Sequence, residues 1–78
     1  YETVIVANRE KFSQNIVLGA YLVATGVQVL AEANPDDCIS GIGLAEDHAD
    51  APNPERWRGQ NLLGFALMEV RDLLSRSF

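Results

Sequence analysis

Asp37 is the residue whose type and setting best suit chemistry. It lies in Asn34-Pro35-Asp36-Asp37-Cys38-Ile39-Ser40-Gly41-Ile42-Gly43, where glycines let backbone approach a bound molecule closely. A carboxylate in such a loop can stabilise positive charge that develops during a reaction and orient a water. The same aspartate also reads as a turn former, because Asp36 and Asp37 follow Asn34-Pro35. Gly41 and Gly43 flank Ile42, a spacing that suits either a ligand-lining loop or a turn with positive φ. It neither follows a convincing strand nor precedes a helix, so it is not a phosphate-binding fingerprint.

A second group surrounds the start of the last helical pattern. Gly59 would permit backbone contact with a phosphate or sugar, and Asn61 either caps backbone N–H groups or, with the helix start, faces an anion, capping being the favoured role. Trp57 can stack on a base, although a single Trp in a small domain is more often core. Lys11 beside Phe12 either holds a phosphate or lies on the wet side of an amphipathic helix. The run Glu46-Asp47-His48-Ala49-Asp50 reads as a solvated acidic loop, since its spacing fits no zinc site. Cys38 lacks a neighbouring base and reads as a packing residue.

These residues need elements to hold them. Val4 to Ser13 has helical composition, with Val4, Ile5 and Phe12 inward and Arg9 and Glu10 outward. Asn15 suits an N-cap for a second helix over 16–24, burying Leu18, Tyr21, Leu22 and Ala24, with Gly26 as a left-handed C-cap. Val27 to Glu32 alternates weakly and carries two β-branched residues, which predicts a short strand. Asn34 to Asn53 is a long loop, and loops of that length are usually functional or disordered. From Asn61 to about Ser75, Leu63, Ala66, Leu67, Val70, Leu73 and Leu74 recur at three and four residues, the signature of an amphipathic helix. Its polar face carries Glu69, Arg71, Asp72 and Arg76, with Asp72 and Arg76 paired one turn apart. The fold class expected is mainly α with a short β element, a small helical domain.

Composition sets bounds. At 47% hydrophobic and 22% charged the chain is globular, yet 78 residues leave a small margin for a core. A net charge of -5 with scattered basic residues argues against nonspecific nucleic-acid binding. No apolar run is long enough for a membrane span. A lone cysteine makes the cytoplasm the default compartment. Tyr1 with no initiator Met, at the start of an uncapped helical pattern, suggests a piece of something longer.

Four stretches, in order and at similar spacing, resemble the C-terminal half of the NADAR (NAD and ADP-ribose) superfamily, which includes YbiA-like N-glycosidases. They are Lys11-Phe12-Ser13-Gln14-Asn15, Leu22-Val23-Ala24-Thr25-Gly26, Asp37-Cys38-Ile39-Ser40-Gly41-Ile42-Gly43, and Trp57-Arg58-Gly59-Gln60-Asn61-Leu62-Leu63-Gly64 with Ala66-Leu67-Met68-Glu69-Val70-Arg71. The resemblance implies that residues 1–78 are the C-terminal part of one larger domain. It further implies hydrolysis of ribose–nitrogen bonds in ribosylated aminopyrimidine intermediates of riboflavin synthesis or in ADP-ribosyl adducts, with no metal or organic cofactor.

On that resemblance Asp37 is the catalytic candidate, and Lys11, Ser40, Gly41, Gly43, Trp57, Gly59 and Asn61 are substrate-binding candidates. Two departures stand out. The family's catalytic glutamate belongs to an N-terminal segment with no counterpart here, and Ser40 stands where the family usually has a tryptophan able to stack on a ring. These residues alone are therefore expected to be inactive, and to associate with themselves or with a missing N-terminal half. The alternatives to a hydrolase are a catalytically silent module that binds ribose nucleotides and a helical interaction domain without a ligand.

Overall fold

The computed structural model describes residues 1–77 and is mainly helical. Three α-helices, α1 (Glu2–Gln14), α2 (Ile16–Ala24) and α3 (Leu62–Ser77), are joined by irregular chain with a 3-10 turn over Pro54–Arg56. The chain forms two compact units, one of Tyr1–Leu30 with the residues from Ala66 onward, the other of Ala31–Phe65. No helix among the described residues is long and apolar enough to cross a membrane.

In the first unit Asn15 acts twice. Its extended backbone (φ -117, ψ 100) stops α1, and its side-chain oxygen accepts the Leu18 amide 3.1 Å away to start α2. Gly26, at φ 64, ends α2 as expected of a left-handed cap, and its amide donates to Val23 at 3.0 Å. The core is Leu22, Val70 and Leu74, with Ile5, Phe12, Val23, Leu30 and Leu67 packed around it. The three- and four-residue repeat of α3 therefore marks its buried stripe.

The inward face of α2 differs from the expected one. Gly19 and Leu22 are buried, whereas Tyr21 is 75% exposed and Ala24 is also exposed. The reason is a close approach of backbones: a Cβ at Gly19 would meet the Phe12 carbonyl oxygen at 2.7 Å. With glycine as the contact point to α1, Leu22 joins the core with Val70 and Leu74 of α3, Val23 packs against that core, and Leu18 is exposed. Ile16, Val17 and Tyr21 are left at the surface.

Two further expectations are corrected. Val27 to Glu32 forms no strand, and no strand occurs among the described residues. Val27 and Val29 are exposed, the Gln28 amide closes a turn onto Thr25, and the Glu32 amide goes to the Asn61 side chain, so these two amides bond to a turn and a side chain rather than to a β ladder. Arg71 is not on the solvated face of α3. It is buried, and its guanidinium donates to Thr25 Oγ1 (2.9 Å) and the Gln28 carbonyl (2.7 Å). The exposed Asp72–Arg76 pair does form at 2.9 Å, and contributes little in water.

The second unit is irregular and centres on Ile42 and Leu44, both almost fully buried. Its long loop is a succession of turns closed three residues back: His48 to Ala45, Ala51 to His48, Asn53 to Asp50 and Arg56 to Asn53.

Arg71→Met keeps the aliphatic bulk but leaves the Gln28 carbonyl without its charged donor, so it should destabilise the chain by about 1 to 3 kcal/mol. Thermal melting against wild type measures this. An unchanged midpoint would show that Arg71 contributes only through its stem.

Candidate functional site

Asn34 opens the site, its side-chain oxygen accepting the Asp36 amide at 2.9 Å to fix a tight turn. Asp37 then folds the chain back on itself, because its Oδ1 accepts the amides of Ile39 (2.9 Å) and Ser40 (2.8 Å). Hydrogen bonding to the charged form favours it: the Ile39 amide, then the Ser40 amide, holds this carboxyl below the ordinary aspartate range, against a smaller opposing effect of desolvation and with the Gly41 amide assisting. Asp37 is thus a fixed negative charge at neutral pH. That suits stabilisation of a cation and does not suit proton donation.

Next comes a cluster of backbone bonds between two segments. The amides of Arg58 and Gly59 donate to Ile42 (2.9 and 2.8 Å), Gln60 to Cys38 (2.8 Å), Asn61 to Gly41 (2.9 Å), Leu62 to Ile39 (3.0 Å) and Leu63 to Ser40 (3.0 Å). Six consecutive amides are therefore satisfied by the Cys38–Ile42 carbonyls. The last two are amides of the first turn of α3, which helices ordinarily leave to a side-chain cap, water or an anion.

The glycines follow from this proximity. A Cβ at Gly59 would collide with the Gly41 carbonyl oxygen and lie 2.8 Å from Cys38 Cα, and one at Gly41 would meet the Asp37 and Glu32 carbonyl oxygens at 2.8 and 2.9 Å. Gly43 needs its φ of 73, and is further enclosed by Cys38 Sγ and Arg58 Cβ.

Asp37, Ser40, Gly41, Gly43, Trp57, Gly59 and Asn61 all belong to the second unit. Lys11 belongs to the first, exposed on α1, with its ammonium 5.7 Å from the Phe12 ring centroid. Ser40 is half-buried; its amide and carbonyl are engaged with Asp37 and Leu63. Trp57 is half-buried, its indole N–H donating to the Ala51 carbonyl at 2.8 Å, so it anchors the preceding turns. Asn61 is fully buried with φ 53, and its side-chain oxygen accepts the Glu32 amide at 2.9 Å.

His48 accepts the Asp50 amide through Nδ1 at 3.0 Å, a turn contact. Cys38 is exposed as a residue rather than packed inside. Among the described residues no group of three or more His, Cys, Asp or Glu side chains is placed to hold a metal ion.

Sequence reasoning passed over Glu32. Its amide is held by Asn61 and its carbonyl by the Ile42 amide (2.9 Å), so the chain before the Asp37 loop is fixed on both sides of one residue. No local pattern announces this, because the partner side chain is 29 residues away.

Known proteins are similar to this chain. The NADAR domain model matches residues 1–75. N-glycosidase R617 of Acanthamoeba polyphaga mimivirus is 43% identical over 72 residues, covering 92% of this chain and 42% of that protein. Protein irg-1 of Caenorhabditis elegans is 43% identical over 65 residues, covering 83% of this chain and 31% of that protein. The chain thus spans less than half the length of these relatives. No solved structure gives a significant match.

Two outcomes test the loop. Gly59→Ala should destabilise the chain by about 1 to 3 kcal/mol, because the new methyl meets backbone that cannot turn aside; an unchanged urea midpoint would contradict the close approach. Because the Asp37 pKa is depressed on folding, its contribution is present above the unfolded-state value and is lost as pH falls through the lower folded value. The amide resonances of Ile39 and Ser40 should therefore titrate with a midpoint below the ordinary aspartate range, and a midpoint at or above that range would refute the bonded carboxylate.

Proposed function

Since the chain belongs to the NADAR domain family, we propose that it forms part of an N-glycosidase that hydrolyses the bond between a ribose carbon and a nitrogen. The substrates proposed are ribosylated aminopyrimidine intermediates of riboflavin synthesis or ADP-ribosyl adducts. The observation that carries the reading is Asp37, a carboxylate kept ionised by two backbone amides in a loop whose own backbone is internally satisfied. The name of the viral relative, an N-glycosidase 43% identical over 72 residues, supports it.

In the proposed reaction the C1′–N bond breaks with its electron pair going to nitrogen, positive charge builds on the ribose, and a water oxygen bonds to C1′. One water proton is lost and the departing nitrogen gains one. Asp37 stabilises the ribosyl cation electrostatically and orients the water or a ribose hydroxyl. The substrate-binding residues proposed beside Asp37 are Ser40, Gly41, Gly43, Trp57 and Gly59, all of the second unit. The proposed setting is the cytoplasm.

A second reading is a ribosyl-ligand module without turnover. It draws on the engagement of Asp37 Oδ1 with two amides, which makes loop shaping a sufficient reason for the residue.

In the intact protein, with the N-terminal segment that carries the family's glutamate, Asp37→Asn separates the two, because the amide oxygen still accepts the Ile39 and Ser40 amides while the charge is gone. Turnover should fall on the order of a hundredfold to a thousandfold with a much smaller change in binding. Ser40→Trp adds a stacking surface worth about 1 to 3 kcal/mol and should chiefly lower the Michaelis constant. The assay is release of free base from a ribosylated aminopyrimidine and of ADP-ribose from an adduct. Binding without hydrolysis by the intact protein, with the N-terminal segment supplied, would establish the second reading, and unchanged turnover in its Asp37→Asn variant would remove Asp37 from the chemistry.

A further inference from the structure

Asn61 combines features that a purely structural turn does not need. It is fully buried, and it is the one non-glycine residue with positive φ (53) among the described residues. Glycine adopts that conformation freely, whereas any side chain there is disfavoured, Asn least of all. A buried asparagine in this conformation is explained when its side chain does something glycine cannot. Here the side-chain oxygen accepts the Glu32 amide at 2.9 Å, across 29 positions of sequence.

Three segments meet on this residue. The side chain takes the segment containing Glu32, the backbone amide donates to Gly41 at 2.9 Å, and the backbone carbonyl accepts the Phe65 amide at 3.0 Å in the first turn of α3. Glu32 is held at its other side by the Ile42 amide, and its carbonyl oxygen would lie 2.9 Å from a Cβ at Gly41, where the Asp37 carbonyl oxygen would lie at 2.8 Å. The Glu32 and Asp37 backbones therefore converge on Gly41. Of the two bonds that register residue 32 against the loop, one is made by the Asn61 side chain.

We propose that Asn61 is a positioning residue of the site: it does not touch the ligand but tethers Glu32 and so fixes the Asp37–Gly43 loop for a ribosyl ligand. The proposal rests on the ribosyl-ligand reading above, and it replaces direct ligand contact by this buried side chain. Removing the tether frees the Glu32 amide and leaves the Ile42 bond as a hinge, so the loop samples positions in which Asp37 is misplaced.

Asn61→Gly, Asn61→Ala and Asn61→Asp test this together. Gly keeps the left-handed backbone without strain and loses the side chain, Ala loses the side chain and adds strain, and Asp retains an oxygen for the Glu32 amide. Hydrogen exchange at Glu32 should accelerate roughly tenfold in the Gly and Ala variants and stay near wild type in Asp, since one net hydrogen bond is worth about that factor. Affinity for ADP-ribose should weaken in parallel in Asn61→Gly, measured well below its melting temperature so that the chain is folded, and should recover in Asn61→Asp. Unaltered Glu32 exchange in Asn61→Gly overturns the tether. Accelerated exchange with unaltered affinity overturns the positioning role. Wild type that neither binds nor hydrolyses a ribosyl ligand overturns the functional reading, and with it the effect on affinity, whereas the exchange result judges the tether independently.

Discussion

The run of amides from Arg58 to Leu63 onto the carbonyls of Cys38 to Ile42 governs the second unit. Each such bond is worth about 1 kcal/mol net, but together they demand that two backbones lie against each other with no side chain between them. Gly41 and Gly59 meet that demand by having none. Gly43 and Asn61 meet a different one, the left-handed turn that lets each segment leave the contact at the required angle. The start of α3 is a product of the same contact, because the amides of Leu62 and Leu63 are satisfied by loop carbonyls.

This arrangement constrains ligand recognition. Backbone amides that could have cradled a phosphate at the start of α3, those of Leu62 and Leu63, are already bonded within the protein. A glycine-rich sequence next to a helix N-terminus invites a phosphate-site interpretation, and here the glycines serve backbone contact instead. The fixed charge at Asp37 is negative, so this loop attracts a cationic group rather than an anion.

Legibility in the sequence divided along the range of the interactions. Asn15, Gly26 and the repeat of α3 act within a few residues, so composition and spacing revealed them. The inward face of α2 was hidden because it depends on Gly19 meeting the Phe12 backbone, a tertiary contact that outweighs the apolar look of Tyr21. Arg71 was placed on the wet face by charge alone, whereas two acceptors from the chain after α2 draw it in. The β propensity of Val27 and Val29 was real but had no ladder to join. In the site, the aspartate and glycines were visible as residue types. The reasons for them were not, since Gly59 answers to Gly41 and Asn61 answers to Glu32.

One consequence connects loop shape to the division of chemical labour. The bonds from the Ile39 and Ser40 amides to Asp37 fold the loop, and they also hold the carboxyl ionised, so shape and charge are set by the same two contacts. Such a group is preorganised for a developing cation and needs no rearrangement when charge appears. It is for the same reason a poor acid, because protonating it weakens both bonds that shape the loop. Cleavage of a ribose–nitrogen bond still requires a proton for the departing nitrogen. In a hydrolase built on this loop that proton must come from a group other than Asp37, and the two roles are kept apart by environment, one carboxyl held charged and a separate donor supplying the proton.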